Sequence, residues 1–140
     1  MAVNSFTPVT PTYYSQGGGF AIAQMSLTAS SGDTVNLFTV PSGFIVRSLR
    51  LDFVGTASST IEVGDSAAAG RFIASATSTA TTGTVSINAT TAASSNVLTA
   101  GVGYQYGASG PYTIVATIGG ANVSTSQYTF VLEGYLNLAS

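Results

Sequence analysis

Short runs of β-branched and aromatic residues, separated by turn residues, recur along almost the whole chain. Thr, Val, Ile, Tyr and Phe form these runs, and Gly, Pro, Ser and Asn separate them. Alanine is plentiful, but it lies among Ser, Thr and Gly without the apolar stripe of a helix, as in residues 74–82. Regularly spaced short strands with turn signals are typical of sandwiches and barrels. The chain is therefore predicted to be all-β.

The turn signals divide the chain into about eight to ten predicted strands. The clearest is 44–54, where the two-residue period of a strand places Arg47 on the face of Leu49 and Leu51. The other predicted strands are 20–28, 34–40, 59–63, 71–75, 84–88, 96–100, 112–118 and 127–138. We expect an antiparallel two-sheet β-sandwich, jelly-roll-like, with the strand order left open.

Residues 1–19 are predicted to form an extended N-terminal arm ahead of a single β-sandwich domain, residues 20–140. Pro8 and Pro11 disfavour helix and pairing in a central strand, and a triple glycine then forms a flexible joint. Large apolar side chains lie along this arm and directly after it, namely Phe6, Val9, Tyr13, Tyr14 and Phe20. We expect these five to form an assembly interface with a neighbouring subunit. The alternative is that the arm folds back as an edge strand on its own domain.

Only 6% of the residues are charged, compared with about 25% in an average soluble protein. Low charge density favours association, so we expect neighbouring subunits to cover much of the surface. The alternative is a merely neutral, hydroxyl-rich surface. Nucleic acid is not an expected partner, because Arg47, Arg50 and Arg71 do not make the basic patch that phosphates require. No membrane role is expected either, because no run approaches the roughly 20 apolar residues of a spanning helix.

The residue types that carry most enzyme chemistry are missing. With no His, Cys or Lys, catalytic triads, Schiff bases and P-loops are excluded. Asp52 and Glu133 lie within predicted strands and could meet as a carboxylate pair of the glycosidase type. Pairing with arginine explains both acids equally well. We therefore predict no enzyme activity, no catalytic residue and no cofactor.

The loop of residues 64–70 carries a further expectation. Asp65 is expected to accept hydrogen bonds from the backbone amides that follow it, and Arg71 is expected to lie near an acid. The alternative is a calcium site, because Glu62 and Asp65 flank Gly64 and calcium binds several oxygen atoms. The loop lacks the dense acidic spacing of an EF-hand. A structural turn with an Asp65–Arg71 ion pair, and no metal, is therefore predicted.

Three segments resemble virion structural proteins of tailed bacteriophages. Residues 34–46 (TVNLFTVPSGFIV) resemble their opening strand, Pro-x-Gly turn and strand, and residues 61–73 (IEVGDSAAAGRFI) resemble their Gly-Asp loop between strands. Residues 130–140 (FVLEGYLNLAS) are similar to their closing strand. Among such proteins, the chain most resembles capsid decoration (cement) proteins. The resemblance implies a non-enzymatic β-sandwich that assembles in the host cytoplasm, as a homotrimer on a major capsid protein at the virion surface.

A second function remains open from the sequence, a tail-fibre or adhesin domain that binds surface carbohydrate. Exposed aromatic residues such as Tyr104, Tyr106 and Tyr112 could stack on sugar rings. The alternative for these tyrosines is that they are ordinary edge residues of the sandwich.

Overall fold

The computed structural model describes residues 3–4, 6–13, 18–55, 58–78, 82–88, 104–107 and 109–136. Within these ranges the secondary structure consists of strands and turns. None of it is a helix long and apolar enough to cross a membrane. The strands are β1 (Val3–Asn4), β2 (Thr12–Tyr13), β3 (Gly18–Ala29), β4 (Thr34–Val40), β5 (Phe44–Val54), β6 (Ser59–Gly64), β7 (Ile73–Ser78), β8 (Thr82–Asn88), β9 (Tyr104–Gln105), β10 (Tyr112–Gly120) and β11 (Val123–Leu136). The all-β prediction is confirmed.

The strands form two sheets. The first sheet has the order β1-β4-β10-β6-β7, and the second has the order β2-β3-β11-β5-β8, with β9 pairing against one end of β5. All pairings between the longer strands are antiparallel, whereas the two-residue β1 runs parallel to β4. The predicted antiparallel two-sheet sandwich is therefore confirmed.

The longer strands pair in a nested order. When β3, β4, β5, β6, β7, β8, β10 and β11 are numbered one to eight, the first pairs with the eighth, the second with the seventh, the third with the sixth and the fourth with the fifth. This is the pairing of one long hairpin that has been folded over into two sheets. The connection between β6 and β7, which contains Asp65, is the tip of that hairpin.

One hydrophobic core lies between the sheets, because inward-facing side chains of both sheets belong to a single cluster. Its largest fully buried side chains are Tyr128, Phe38, Phe44, Phe72 and Phe130. Burying a side chain of this size stabilises the fold by about 1.5–3 kcal/mol. The core therefore provides the main stabilisation of a chain that has no disulfide.

The inward and outward faces predicted for the residues of β5 are right in the second half of the strand and wrong in the first half. The core residues of β5 are Phe44, Val46, Leu49, Leu51 and Phe53. Arg47 is exposed, although its odd number places it with Leu49 in a regular strand. A register shift explains this, because Glu133 and Gly134 of β11 pair with Ser48 and Val46 and leave Arg47 as an extra residue. One extra residue reverses the alternation beyond it, so the predicted face of Arg47 is wrong.

Some predicted boundaries differ from the structure. Strand β7 begins at Ile73 rather than at 71, because Arg71 and Phe72 belong to the preceding loop. The short strands β1, β2 and β9 are absent from the prediction. The predicted strand at 96–100 lies outside the described residues.

The described part of the N-terminal arm lies along its own domain. The Val9 amide donates to the Leu37 carbonyl at 2.9 Å, and the Thr39 amide donates to the Val9 carbonyl at 3.0 Å, beside the pairing of β1 with β4. Strand β2 then pairs with the beginning of β3. Phe6 and Val9 pack against the core and are half-buried. The arm therefore lies along the β4 edge of the first sheet and pairs with only the first residues of β3 in the second. This is what its folded-back alternative expects, while its role as an assembly interface stays a prediction.

Candidate functional site

A buried charged cluster lies at the tip of the long hairpin. Asp65 and Arg71, both from the loop between β6 and β7, are 7% and 2% exposed. Arg71 donates from Nε to Asp65 Oδ2 at 2.6 Å and from Nη2 to Oδ1 at 3.2 Å. The structure thus brings the two residues that the sequence singled out into direct contact.

The Asp65 carboxylate is saturated with donors from its own chain. The backbone amides of Ala67 and Ala68 each donate to Oδ1 at 3.0 Å, and the Tyr106 hydroxyl donates to Oδ2 at 2.8 Å. Together with the two bonds from Arg71, these fill the roughly four lone-pair positions of a carboxylate. The arrangement therefore favours a structural turn over calcium binding by Asp65. Among the described residues, no cluster of three or more acidic groups could hold a metal ion.

The loop is also tightly packed along its backbone. The amides of Asp65 and Arg71 both donate to the Ala68 carbonyl, at 3.0 and 3.1 Å. A Cβ atom on Gly64 would clash with that same carbonyl oxygen. Only glycine fits at this position, so the Gly-Asp pair of the sequence reflects a close approach within the loop.

Tyr106 links this loop to the other sheet. It follows β9, and its backbone amide donates to the Phe44 carbonyl of β5 at 3.0 Å. Its hydroxyl bonds Asp65, whose loop belongs to the first sheet. Sequence reasoning missed this role, because the two residues are 41 positions apart. The side-chain contact therefore ties the two sheets together at one end of the sandwich.

Aromatic rings surround the ion pair. The Arg71 guanidinium carbon lies 4.0 Å from the centroid of the Tyr104 ring, which is the geometry of a cation–π contact. The rings of Tyr106 and Tyr112 stack with centroids 4.7 Å apart. Phe72 packs against Tyr104 with an edge-to-face geometry. The charged pair is thus enclosed by apolar surface, which strengthens its electrostatic interactions.

The surroundings shift three pKa values. Burial alone would raise the pKa of the Asp65 carboxyl, but hydrogen bonds from Arg71, Tyr106 and the Ala68 amide and the Arg71 charge outweigh it, so the pKa is lowered. Burial would lower the pKa of Arg71, but its bond to Asp65 and that negative charge raise it. Burial and the Asp65 charge both raise the pKa of the Tyr106 hydroxyl. All three groups therefore keep one protonation state around neutral pH.

The proposed sugar-stacking tyrosines do not form an exposed platform. Tyr106 is 3% exposed, so its predicted exposure is wrong. Tyr104 and Tyr112 are half-buried and pack against the core. The structure therefore favours the alternative, in which these rings pack within the sandwich.

The two acids considered as a carboxylate pair lie apart on the outer face of the second sheet. Asp52 is opposite Thr129 of β11, and Glu133 lies four positions further along that strand. Four strand positions span about 13 Å, which exceeds the separation of about 5–9.5 Å in glycosidases. Asp52 instead contacts Arg50 at 3.3 Å and accepts a hydrogen bond from the Thr84 hydroxyl at 2.8 Å. These contacts explain Asp52 without a catalytic partner.

The rest of this outer face is mostly uncharged. Two shallow depressions lie on either side of β11, with volumes of ≈ 300 and ≈ 310 Å³, and both include Gln127 and Thr129. Among the described residues, the exposed large apolar side chains are Ile22 and Val54, 48% and 51% exposed, and both lie on this face. Amides, hydroxyls and scattered apolar groups can be covered by another protein without desolvating many charges.

Comparison with known proteins gives matches in structure alone. No protein-family model matches the chain, and no curated protein matches it. One chain of the cyanophage Pam1 capsid asymmetric unit superposes with a TM-score of 0.57 and 15% identity, over 96% of both chains. One chain of the acid-stable capsid of the Helicobacter pylori bacteriophage KHP30 gives 0.54 and 19% identity, over 84% of this chain and 87% of that chain. The predicted resemblance to phage virion structural proteins is thereby confirmed at the level of the fold.

Proposed function

We propose that this protein is a non-enzymatic structural subunit of a phage virion, and that it acts as a capsid decoration (cement) protein. It would bind the outer surface of the head over a major capsid protein and stabilise the shell through subunit contacts. The observation that carries this proposal is the likeness to chains of two phage capsids over 96% and 84% of this chain. Because 96% of the Pam1 chain is matched as well, that subunit is about the same size.

The surface chemistry supports an assembled role. The centres of protein interfaces are depleted in charged residues, and this chain has only three basic and five acidic residues. Asp65 and Arg71 are buried against each other, and Arg50 and Asp52 form a pair on the surface. A largely neutral exterior is what a subunit requires when neighbours cover much of it.

The strand order supports a jelly roll, as expected from the sequence. Eight strands that pair as one folded-over hairpin in two sheets match this arrangement, which is common in viral capsid domains. We further propose that the subunits form a homotrimer and that the arm residues Phe6, Val9, Tyr13, Tyr14 and Phe20 contribute to its assembly. Phe6, Val9 and Phe20 are half-buried in the single chain, so part of each remains available to a neighbour. Tyr14 and the side chain of Tyr13 lie outside the described residues.

Particle composition and heat resistance test the proposal. The protein should be among the most abundant components of purified particles, and particles produced without its gene should lose heat resistance. Adding the purified protein back should restore both occupancy and resistance. A minor component confined to the tail would instead support the tail-fibre alternative.

Shortening the arm tests its assembly role separately. Deletion of residues 1–16 should lower occupancy on particles, and unchanged occupancy and heat resistance would contradict the role. Because Phe6 also packs on the core, thermal unfolding of the truncated chain and of Phe6→Ala should be measured beside binding. A fully folded variant with reduced occupancy supports an assembly contact.

A further inference from the structure

The outer edge of β3 is the longest unpaired strand edge among the described residues. β3 pairs with β11 along one side, whereas on its other side β2 pairs only with Gly19 and Phe20. The main chain of residues 21–29 is therefore open along that side within the described part of the chain. An open edge of this length is a template on which another strand can pair.

This edge lacks the features by which proteins usually block such pairing. Residues 21–29 (AIAQMSLTA) include no charged residue and no proline, and β3 pairs regularly with β11 from Gly18 to Leu27. The corresponding edge of β4 is covered by β1 and Val9 of the arm. The arm thus closes one edge of the sandwich and leaves most of the β3 edge open.

We propose that this edge pairs with the β3 edge of a second copy of the chain, antiparallel across a two-fold axis at Met25. The second sheet then continues from one copy into the other. Because residues 21–29 are uncharged, self-pairing places no like charges opposite each other, which would be destabilising. Moving the axis to Gln24 or Ser26 would shorten the pairing from nine residues to seven, so the register centred on Met25 makes the most main-chain bonds.

The side chains also suit this register. On the inner face, Ala23 lies opposite Leu27, so a small group meets a large one. Met25 lies opposite its copy. Met25 packs against the core but is only half-buried in the single chain, and its partner would cover the remainder. On the outer face, Ile22, which is 48% exposed, would lie opposite Thr28. The pairing thus covers both partly exposed apolar groups of the open edge.

This inference concerns the isolated protein and is independent of the proposed capsid role. In a homotrimer, the same edge would link neighbouring trimers. Failure of the particle-binding experiment would therefore leave the β3 pairing standing, and failure of the pairing would leave the particle experiment standing.

Cysteine cross-linking of the full chain tests the register. The chain has no cysteine, so Met25→Cys introduces a single thiol. Opposite Cα atoms in an antiparallel pair lie about 4.5–5.5 Å apart, within the range of about 4.4–6.8 Å that a disulfide requires. Mild oxidation should therefore convert Met25→Cys into a covalent dimer.

Two further variants act as internal controls. Gln24→Cys and Ser26→Cys lie opposite each other rather than opposite themselves, and diagonal positions are about 7–8 Å apart. Each should cross-link slowly alone and rapidly when the two are mixed. Gln127→Cys, exposed on the neighbouring interior strand β11, should not form the covalent dimer. Slow cross-linking of folded Met25→Cys, or equal rates for Gln127→Cys, would refute the proposal.

Charge substitutions test the same contact without covalent chemistry. In the variant Gln24→Lys/Ser26→Lys, two pairs of like charges meet across the axis, and the dimer dissociation constant should rise about tenfold or more. In Gln24→Lys/Ser26→Glu each positive charge faces a negative one, and the dimer should be restored. Sedimentation of the wild type and both variants across a concentration series gives the mass at each concentration and hence the dimer dissociation constant. A wild-type chain that stays monomeric, or a Lys/Lys variant that dimerises like the wild type, would overturn the inference.

Discussion

Removing one hydroxyl group from each of three tyrosines should change stability in three different ways. In Tyr106→Phe, the buried Asp65 carboxylate loses a donor at 2.8 Å, while the ring and its stacking on Tyr112 are kept. Hydrogen bonds to charged groups contribute about 1.5–3 kcal/mol. Because Asp65 keeps its bonds to Arg71 and to two backbone amides, we expect the free energy of unfolding to fall by an amount near the lower end of this range, about 1.5 kcal/mol.

Tyr112→Phe is the matched control for that substitution. The Tyr112 hydroxyl accepts a hydrogen bond from the exposed Ser109 amide at 3.3 Å, and water can replace it when it is removed. Changes at such surface positions are usually within about 0.5 kcal/mol. The variant removes the same atom from the neighbouring ring, so it accounts for any general effect of the substitution.

Tyr128→Phe should have the opposite sign. Tyr128 is 1% exposed, and its hydroxyl has no hydrogen-bond partner in the part of the chain that the structure describes. An unsatisfied buried polar group costs about 1–3 kcal/mol, so its removal should stabilise the protein, by about 1 kcal/mol. The core keeps the ring, which stacks on Phe130.

Urea denaturation of the purified chain measures all three changes. The midpoint should shift while the slope of free energy against urea stays constant, because the surface exposed on unfolding is unchanged. A double-mutant cycle with Asp65→Asn then isolates the coupling of Tyr106 to the carboxylate. Equal effects for Tyr106→Phe and Tyr112→Phe would show that the bond between the sheets contributes no stability, and the reasoning would fail.

Three other predictions concern the same loop. Arg71→Leu leaves the Asp65 charge buried without its main partner, so urea denaturation should show the free energy of unfolding falling by about 3–5 kcal/mol. Arg50→Leu, in the exposed pair, should lower it by less than about 1 kcal/mol. The folded-state pKa of Asp65 lies below its ordinary value of 3.8. Its contribution to stability is therefore present above that pH and is lost as the pH falls through the folded-state value. The fall of the unfolding free energy on acidification should be shallower for Asp65→Asn than for the wild type, and equal slopes would argue against this contribution. Gly64→Ala should destabilise the fold by about 1–3 kcal/mol, because its Cβ would meet the Ala68 carbonyl. A Cβ atom added to Gly107 would lie 3.4 Å from the Tyr112 hydroxyl, an ordinary contact distance, so Gly107→Ala should change thermal stability little.

Local patterns explain the parts of the fold that the sequence predicts well. Strands β4 and β5 have the predicted bounds, Thr34–Val40 and Phe44–Val54. Both are rich in β-branched and aromatic residues and flank a Pro-Ser-Gly turn, so neighbouring residues alone determine their ends. The Asp65 turn is equally local, because its carboxylate reaches amides two and three residues further along the chain.

The remaining features depend on residues far apart in the sequence. The nested strand order pairs β3 with β11 across almost the whole chain, and no neighbouring residues encode that choice. Strand β9 has only two residues and exists because β5 supplies its partner. The extra residue at Arg47 is visible only against β11. Each is decided by tertiary packing, which overrides local propensity.

The position of the charges connects the fold to the proposed role in a capsid. The chain contains three basic and five acidic residues, and its most completely bonded pair, Asp65 with Arg71, lies inside the sandwich. There it fixes the hairpin tip and, through Tyr106, holds the two sheets together. A buried pair of this kind contributes little net stability but fixes one arrangement of the groups around it, since any other leaves a buried charge unpaired. The outer face of the second sheet is meanwhile left mainly with amides, hydroxyls and the partly exposed Ile22 and Val54. Charge thus defines the fold within this chain, and in the assembly that we propose, contacts between subunits rest on main-chain pairing and neutral side chains.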